Sequence, residues 1–198
     1  MQRLSTTILA VVGTDARLAA QALGQAANVR AVLPDPGDPP LERARAALAG
    51  AAGAAAPFVV HDADPLAEVT DAWVRWYDGE AGRGELEAAV AAVVGRWRAG
   101  SLELPDYYLL LDAEDWPATR RHWYLGWLPR HAPARVVPAG ADRSALPAAV
   151  RRLRAGRLWP GIDRLLEGAD RVTPDEFVAT ADAGDAQPLR PERLVRPR

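Results

Sequence analysis

The chain contains no cysteine. Disulfides, thiolate nucleophiles, zinc–cysteine sites and cysteine-ligated iron–sulfur clusters are therefore excluded. It also contains no lysine, all 24 basic residues being arginine. Schiff-base chemistry, a lysine general base and the phosphate-binding lysine of a P-loop are excluded in turn. The abundance of Ala, Arg, Gly, Pro and Val points to coding-sequence base composition as the origin of this bias, and the chemical exclusion holds whatever the origin. Serine is scarce: Ser5, Ser101 and Ser144 are the full set, and none sits in a G-x-S-x-G elbow. The three histidines, His61, His122 and His131, lack the paired spacing of a metal site. No apolar run reaches the ~18 residues needed to span a bilayer. A formal charge of -2 gives no basic footprint for nucleic acid or an anionic membrane.

What is present is ordinary globular composition, 49% hydrophobic and 25% charged over 198 residues, enough for one substantial core. A single α/β domain is expected over residues 1–172, with 173–198 as a polar, proline-rich and poorly ordered extension. The first thirteen residues carry one arginine, a short apolar run and no small-residue cleavage site. They read as a core strand in place of a signal peptide, which makes the cytoplasm the default location.

The most informative stretch is Leu104 to Trp116, where the apolar run Tyr107–Leu111 ends in Asp112, Glu114 and Asp115 and a helix opens at Pro117. That is the pattern of a buried parallel strand whose carboxyl end faces a crevice. Similar units recur along the chain. Strands are predicted at 6–12, 29–33, 57–61, 107–111 and 134–138. Helices are predicted at 16–27, 41–54, 66–78, 86–97, 117–128, 144–154 and 162–167. The helices at 66–78 and 86–97, separated by the Gly79–Gly84 break, form a hairpin between strands three and four. The expected architecture is a three-layer sandwich with a mainly parallel sheet of about five strands and helices on both faces. The pattern does not give the strand order.

In such sheets ligands lie beyond the carboxyl ends of the strands. The candidates there are Gly13, Thr14 and Asp15 for ligand binding, together with Glu114. His61, Asp62 and Asp112 are candidates for catalysis, and Asp62 and Asp64 for a metal. One or two such carboxylates plus water suit magnesium, and His61 suits acid–base work near neutrality. Helix capping accounts for Asp15, Asp64 and Asp115 at least as well.

The Asp62-Ala63-Asp64 run after a strand resembles the metal-binding motif of GT-A glycosyltransferases and of the topoisomerase–primase domain. His61-Asp62-Ala63 is similar to a run in cytidylyltransferases of the isoprenoid pathway. These resemblances imply Asp62 and Asp64 as metal ligands. The layout as a whole resembles P-loop nucleoside and nucleotide kinases: a first strand ending in Gly13, a helical hairpin before strand four, Asp112 at that strand's end, and a last strand plus helix. The departure is at Gly13-Thr14-Asp15-Ala16-Arg17-Leu18, which has one glycine and no Lys-Ser/Thr pair. Kinship would then imply loss of the usual phosphoryl-transfer apparatus.

A last cluster joins Arg120 and Arg121 to Trp116, Trp123 and Trp127. At helical spacing these tryptophans are foremost core residues, and any left exposed would anchor a partner. The sequence therefore suggests a non-catalytic binding or assembly protein on a degenerate nucleotide-binding-type fold, with a protein partner or self-association. The alternative is a magnesium-dependent enzyme acting on a nucleotide or phosphorylated substrate through the acidic strand ends.

Overall fold

A computed structural model describes residues 6–140, 143–153 and 159–169. The proposed extension at 173–198 lies outside them. Five strands form one sheet: β1 (Thr7–Gly13), β2 (Val29–Ala31), β3 (Phe58–His61), β4 (Tyr107–Leu111) and β5 (Val136–Ala139). Their order is β2-β3-β1-β4-β5, and every pairing is parallel. The helices are α1 (Ala16–Leu23), α2 (Pro40–Ala52), α3 (Ala67–Tyr77), α4 (Arg83–Arg98), α5 (Ala118–His122), α6 (Leu128–His131), α7 (Leu146–Arg152) and α8 (Ile162–Leu166). None of the described helices is long and apolar enough to cross a membrane.

Strand periodicity sorts the side chains into two layers. Leu9, Val11, Val60, Tyr107, Leu109 and Leu111 face α1 and α7, meeting Ala19, Ala20, Leu23, Leu146 and Val150. Ala10, Val12, Tyr108 and Leu110 point the other way, into a larger core with α2, α3, α4, α8 and the 123–128 segment. Central strands with both faces covered need apolar residues throughout, which is why β4 reads Tyr-Tyr-Leu-Leu-Leu without polar alternation. The helical hairpin lies where expected, as α3 and α4.

Two predicted helices are cut short. α1 stops at Leu23, not Ala27: Gly24 follows it, Asn28 takes a left-handed φ of 67°, and the chain turns at once into β2. The helix predicted at 117–128 is interrupted by a π-helical turn, Trp123–Trp127. Gly126 permits this, because a Cβ there would stand 2.9 Å from Nδ1 of His122, whose ring stacks on Trp73. Such widened turns occur mostly as single-turn bulges inside α-helices.

The outer strand β5 carries Pro138. The amide of Asp112 donates to the Ala139 carbonyl, so Ala139 turns its polar groups toward β4. Pro138, one position earlier, turns outward. Proline is tolerated at that place because the missing N–H would have faced solvent.

Candidate functional site

β1 leads into α1 on one face of the sheet, whereas its neighbours β3 and β4 lead to α3 and α5 on the other. Connections diverge above the end of β1, and that is where an open parallel sheet forms its crevice. The loop endings Gly13–Asp15, Asp62–Pro65 and Asp112–Trp116 all meet there.

At the floor of the crevice Gly13 has φ 127°. A Cβ on it would lie 2.5 Å from the Leu111 carbonyl oxygen and 3.1 Å from Cζ2 of Trp116. Only Thr14 and the left-handed Asp15 separate β1 from α1, and Asp15 makes no side-chain cap. The half-buried Trp116 indole packs edge-on to Tyr124, with the Arg120 guanidinium 5.8 Å above its ring. An aromatic ring thus backs the position where a phosphate cradle needs free backbone amides.

Arginines of the same chain hold the rim carboxylates. Oδ2 of Asp62 accepts from Arg17 at 3.1 Å and Arg43 at 2.9 Å, and this carboxylate is 4% exposed. Arg17 also donates to the Pro34 carbonyl at 2.7 Å, and Arg43 to the Asp62 carbonyl at 3.2 Å. Helices α1 and α2 are thereby tied to the turn after β3 through one oxygen. Asp112, left-handed at φ 49°, pairs with Arg143 beyond β5. All three pairs are single-pronged. Oδ1 of Asp62 and of Asp112, Nε of Arg43 and Nη1 of Arg143 are buried without a protein partner among the described residues.

Asp64 goes elsewhere. Its Oδ1 accepts from the Leu66 amide at 2.8 Å and the Tyr108 hydroxyl at 3.0 Å, and its Oδ2 accepts from the Tyr124 hydroxyl. Burial pushes its carboxyl above the ordinary range despite those three donors, and burial beside this acid raises both tyrosines well above theirs. Asp62 and Asp64 therefore do not converge: one reaches outward to arginines, the other inward beneath α3. Among the described residues no group of three or more His, Asp or Glu side chains is placed to hold a metal ion. With Asp62, Asp64 and Asp112 each engaged by donors of the chain itself, the residues present do not fit a magnesium site.

His61 is buried at 4% exposure, below the rim where its position in sequence had suggested it. It lines a cleft of about 10 Å³ with Ile8, Ala44, Leu48, Pro65 and residues 103–105. Burial depresses its pKa to about 4. Glu114 is exposed, and its carbonyl accepts from Arg121 at 3.1 Å. Trp123 and Trp127 are core residues, so the surface part of that cluster consists of Trp116, Arg120 and Arg121. Sequence reasoning missed Arg17, Arg43, Arg143, Tyr108 and Tyr124 as partners of the three aspartates. The separations run from 19 to 60 residues, and no local pattern signals them.

Comparison of the chain with family models, curated proteins and solved structures gives no match.

Proposed function

We propose that this chain is a non-catalytic binding or assembly protein built on a degenerate nucleotide-binding-type scaffold. The observation that carries this reading is the occupation of the crevice by the chain's own groups. Asp62 and Asp112 are neutralised by Arg17, Arg43 and Arg143, and Gly13 is backed by Trp116. A catalytic carboxylate has to meet a metal or a substrate proton, and these meet guanidinium groups instead. The partner would be a second copy or another protein, engaged through surface side chains such as Trp116 and Arg120, or through Leu18 on α1, the most exposed large apolar residue among the described residues at 62%.

A magnesium-dependent enzyme acting on a nucleotide or phosphorylated substrate is the competing reading. It is favoured by the same arginines, since guanidinium groups at a strand end suit phosphate. Titration calorimetry with magnesium and with ATP or GTP separates the two. The binding reading expects no magnesium-dependent heat, together with concentration-dependent association in light scattering or pull-down of a partner that Trp116→Ala or Leu18→Glu weakens. Nucleotide turnover, or nucleotide binding abolished by Asp62→Ala and Asp112→Ala, would overturn it.

A further inference from the structure

Among the described helices α4 is the longest, 16 residues from Arg83 to Arg98, yet only Leu86 and Val93 are buried along it. A helix at a protein surface ordinarily turns polar residues outward. From Ala88 to Gly95 this one carries no polar side chain, and Ala88, Ala91, Ala92 and Gly95 are exposed. At about 100° per residue, Gly84, Ala88, Ala91 and Gly95 fall on the side opposite Leu86 and Val93. A Cβ on Gly84 or Gly95 would meet nothing within 4 Å. The fold itself does not ask for glycine there, and glycine costs a helix stability relative to alanine. A close neighbour from outside would ask for it.

The charges beside this face say what that neighbour is. Glu85 and Arg96 share one flank of the helix, and Glu87 and Arg98 share the other, each arginine about three turns beyond its glutamate. All four side chains are between 39% and 66% exposed. Their partners within the chain, Arg75, Glu42, Arg83 and Asp163, are partly exposed as well, and surface pairs of this kind hold weakly. A two-fold axis lying in the contact plane and across the helix reverses its direction and keeps like flanks together. Glu85 then stands level with Arg96 of the second copy, and Glu87 comes within about one turn of Arg98 of the second copy. Symmetry doubles both contacts. A parallel copy would instead set glutamate against glutamate and arginine against arginine.

We propose that the chain forms a two-fold symmetric dimer through the outer face of α4, the two helices antiparallel and their flanking charges complementary. Glycine and alanine along the contact let the axes approach to the low end of the usual ~8–10 Å. The apolar face is then covered, and each copy supplies the opposite charges that the other's flanks present. The inference rests on the reading of the chain as an assembly protein and adds to it both the partner, a second copy, and the surface that meets it.

The test is sedimentation equilibrium of the full chain over a concentration series, with urea denaturation run beside it. A monomer–dimer equilibrium is expected. Ala91→Glu places a carboxylate inside the contact and should weaken the dimer by about tenfold or more, with the fold intact. Gly95→Leu should raise the monomer's denaturation midpoint, because leucine favours a helix over glycine, and yet weaken the dimer. A folding defect cannot move those two readouts in opposite directions. The double variants Glu85→Arg/Glu87→Arg and Arg96→Glu/Arg98→Glu should each be monomeric alone and pair when mixed. A monomer at every concentration overturns the α4 contact, as does a dimer indifferent to Ala91→Glu, or a mixture of the charge variants that stays monomeric. Self-association weakened by Trp116→Ala or Leu18→Glu and untouched by the α4 variants would also sink it, while leaving the assembly reading in place.

Discussion

Cζ2 of Trp116 lies 3.1 Å from the point where a Cβ on Gly13 would stand, and the Leu111 carbonyl oxygen lies on the other side at 2.5 Å. The end of β1 is thus closed by backbone and by an indole together, with φ at 127° in a region only glycine enters freely. Gly13→Ala is expected to cost about 2–4 kcal/mol from strain and overpacking, measured by urea denaturation. Because the nearer obstacle is backbone, the loss should persist in Gly13→Ala/Trp116→Ala. Rescue by the smaller side chain would show that the indole alone sets the constraint.

The Asp62 clamp predicts a rank order. Asp62→Ala leaves Arg17 and Arg43 facing each other and should cost about 2–3 kcal/mol. That is less than a fully buried pair would lose, because the arginines are 39% and 22% exposed. Arg43→Ala should cost less than Asp62→Ala, and the more exposed Arg17→Ala about 1 kcal/mol or below. Denaturation midpoints of the three variants check the order. Equal losses would mean that the arginines act through their stems and not their charge.

At Asp64 three donors serve one buried carboxylate. Tyr108→Phe and Tyr124→Phe should each cost about 1–2 kcal/mol, whereas Asp64→Ala strands two hydroxyls and an amide and should cost about 3–5 kcal/mol. A double-mutant cycle between the tyrosines would report their coupling through the acid.

The same acid gives a pH signature. Its folded-state pKa is raised by burial above 3.8, so its contribution is complete below that value and is lost as pH rises through the folded pKa. Wild type should therefore lose stability relative to Asp64→Asn on going from pH 4 to pH 7. A constant difference would mean the carboxyl titrates as it does in the unfolded chain.

The strands and the α3–α4 hairpin were legible because parallel strands buried on both faces and amphipathic helices leave periodic marks. β4 was predicted to the residue, and β2 ends at Ala31, short of the predicted Leu33, although the Val32 amide still donates to the Val60 carbonyl of β3 at 2.9 Å. The interruption at Trp123–Trp127 was not legible: nothing in the spacing of Trp123 and Trp127 distinguishes an α turn from a widened one. The candidate site was half legible. Its aspartates and His61 sit on the predicted strand ends, yet whether a carboxylate meets a metal or a guanidinium depends on arginines 19, 45 and 31 residues away. His61 looked like a rim residue because it ends a strand. The alternation that turned it under α2 only became visible with the register that places it opposite Ala10.

Pro138 on β5 has a bearing on how copies of this molecule can be joined. One flank of the sheet cannot offer the full row of outward donors that a foreign strand would zip onto, and the opposite flank is a strand of three residues. Ribbons growing from sheet to sheet are therefore disfavoured on both flanks of the described sheet.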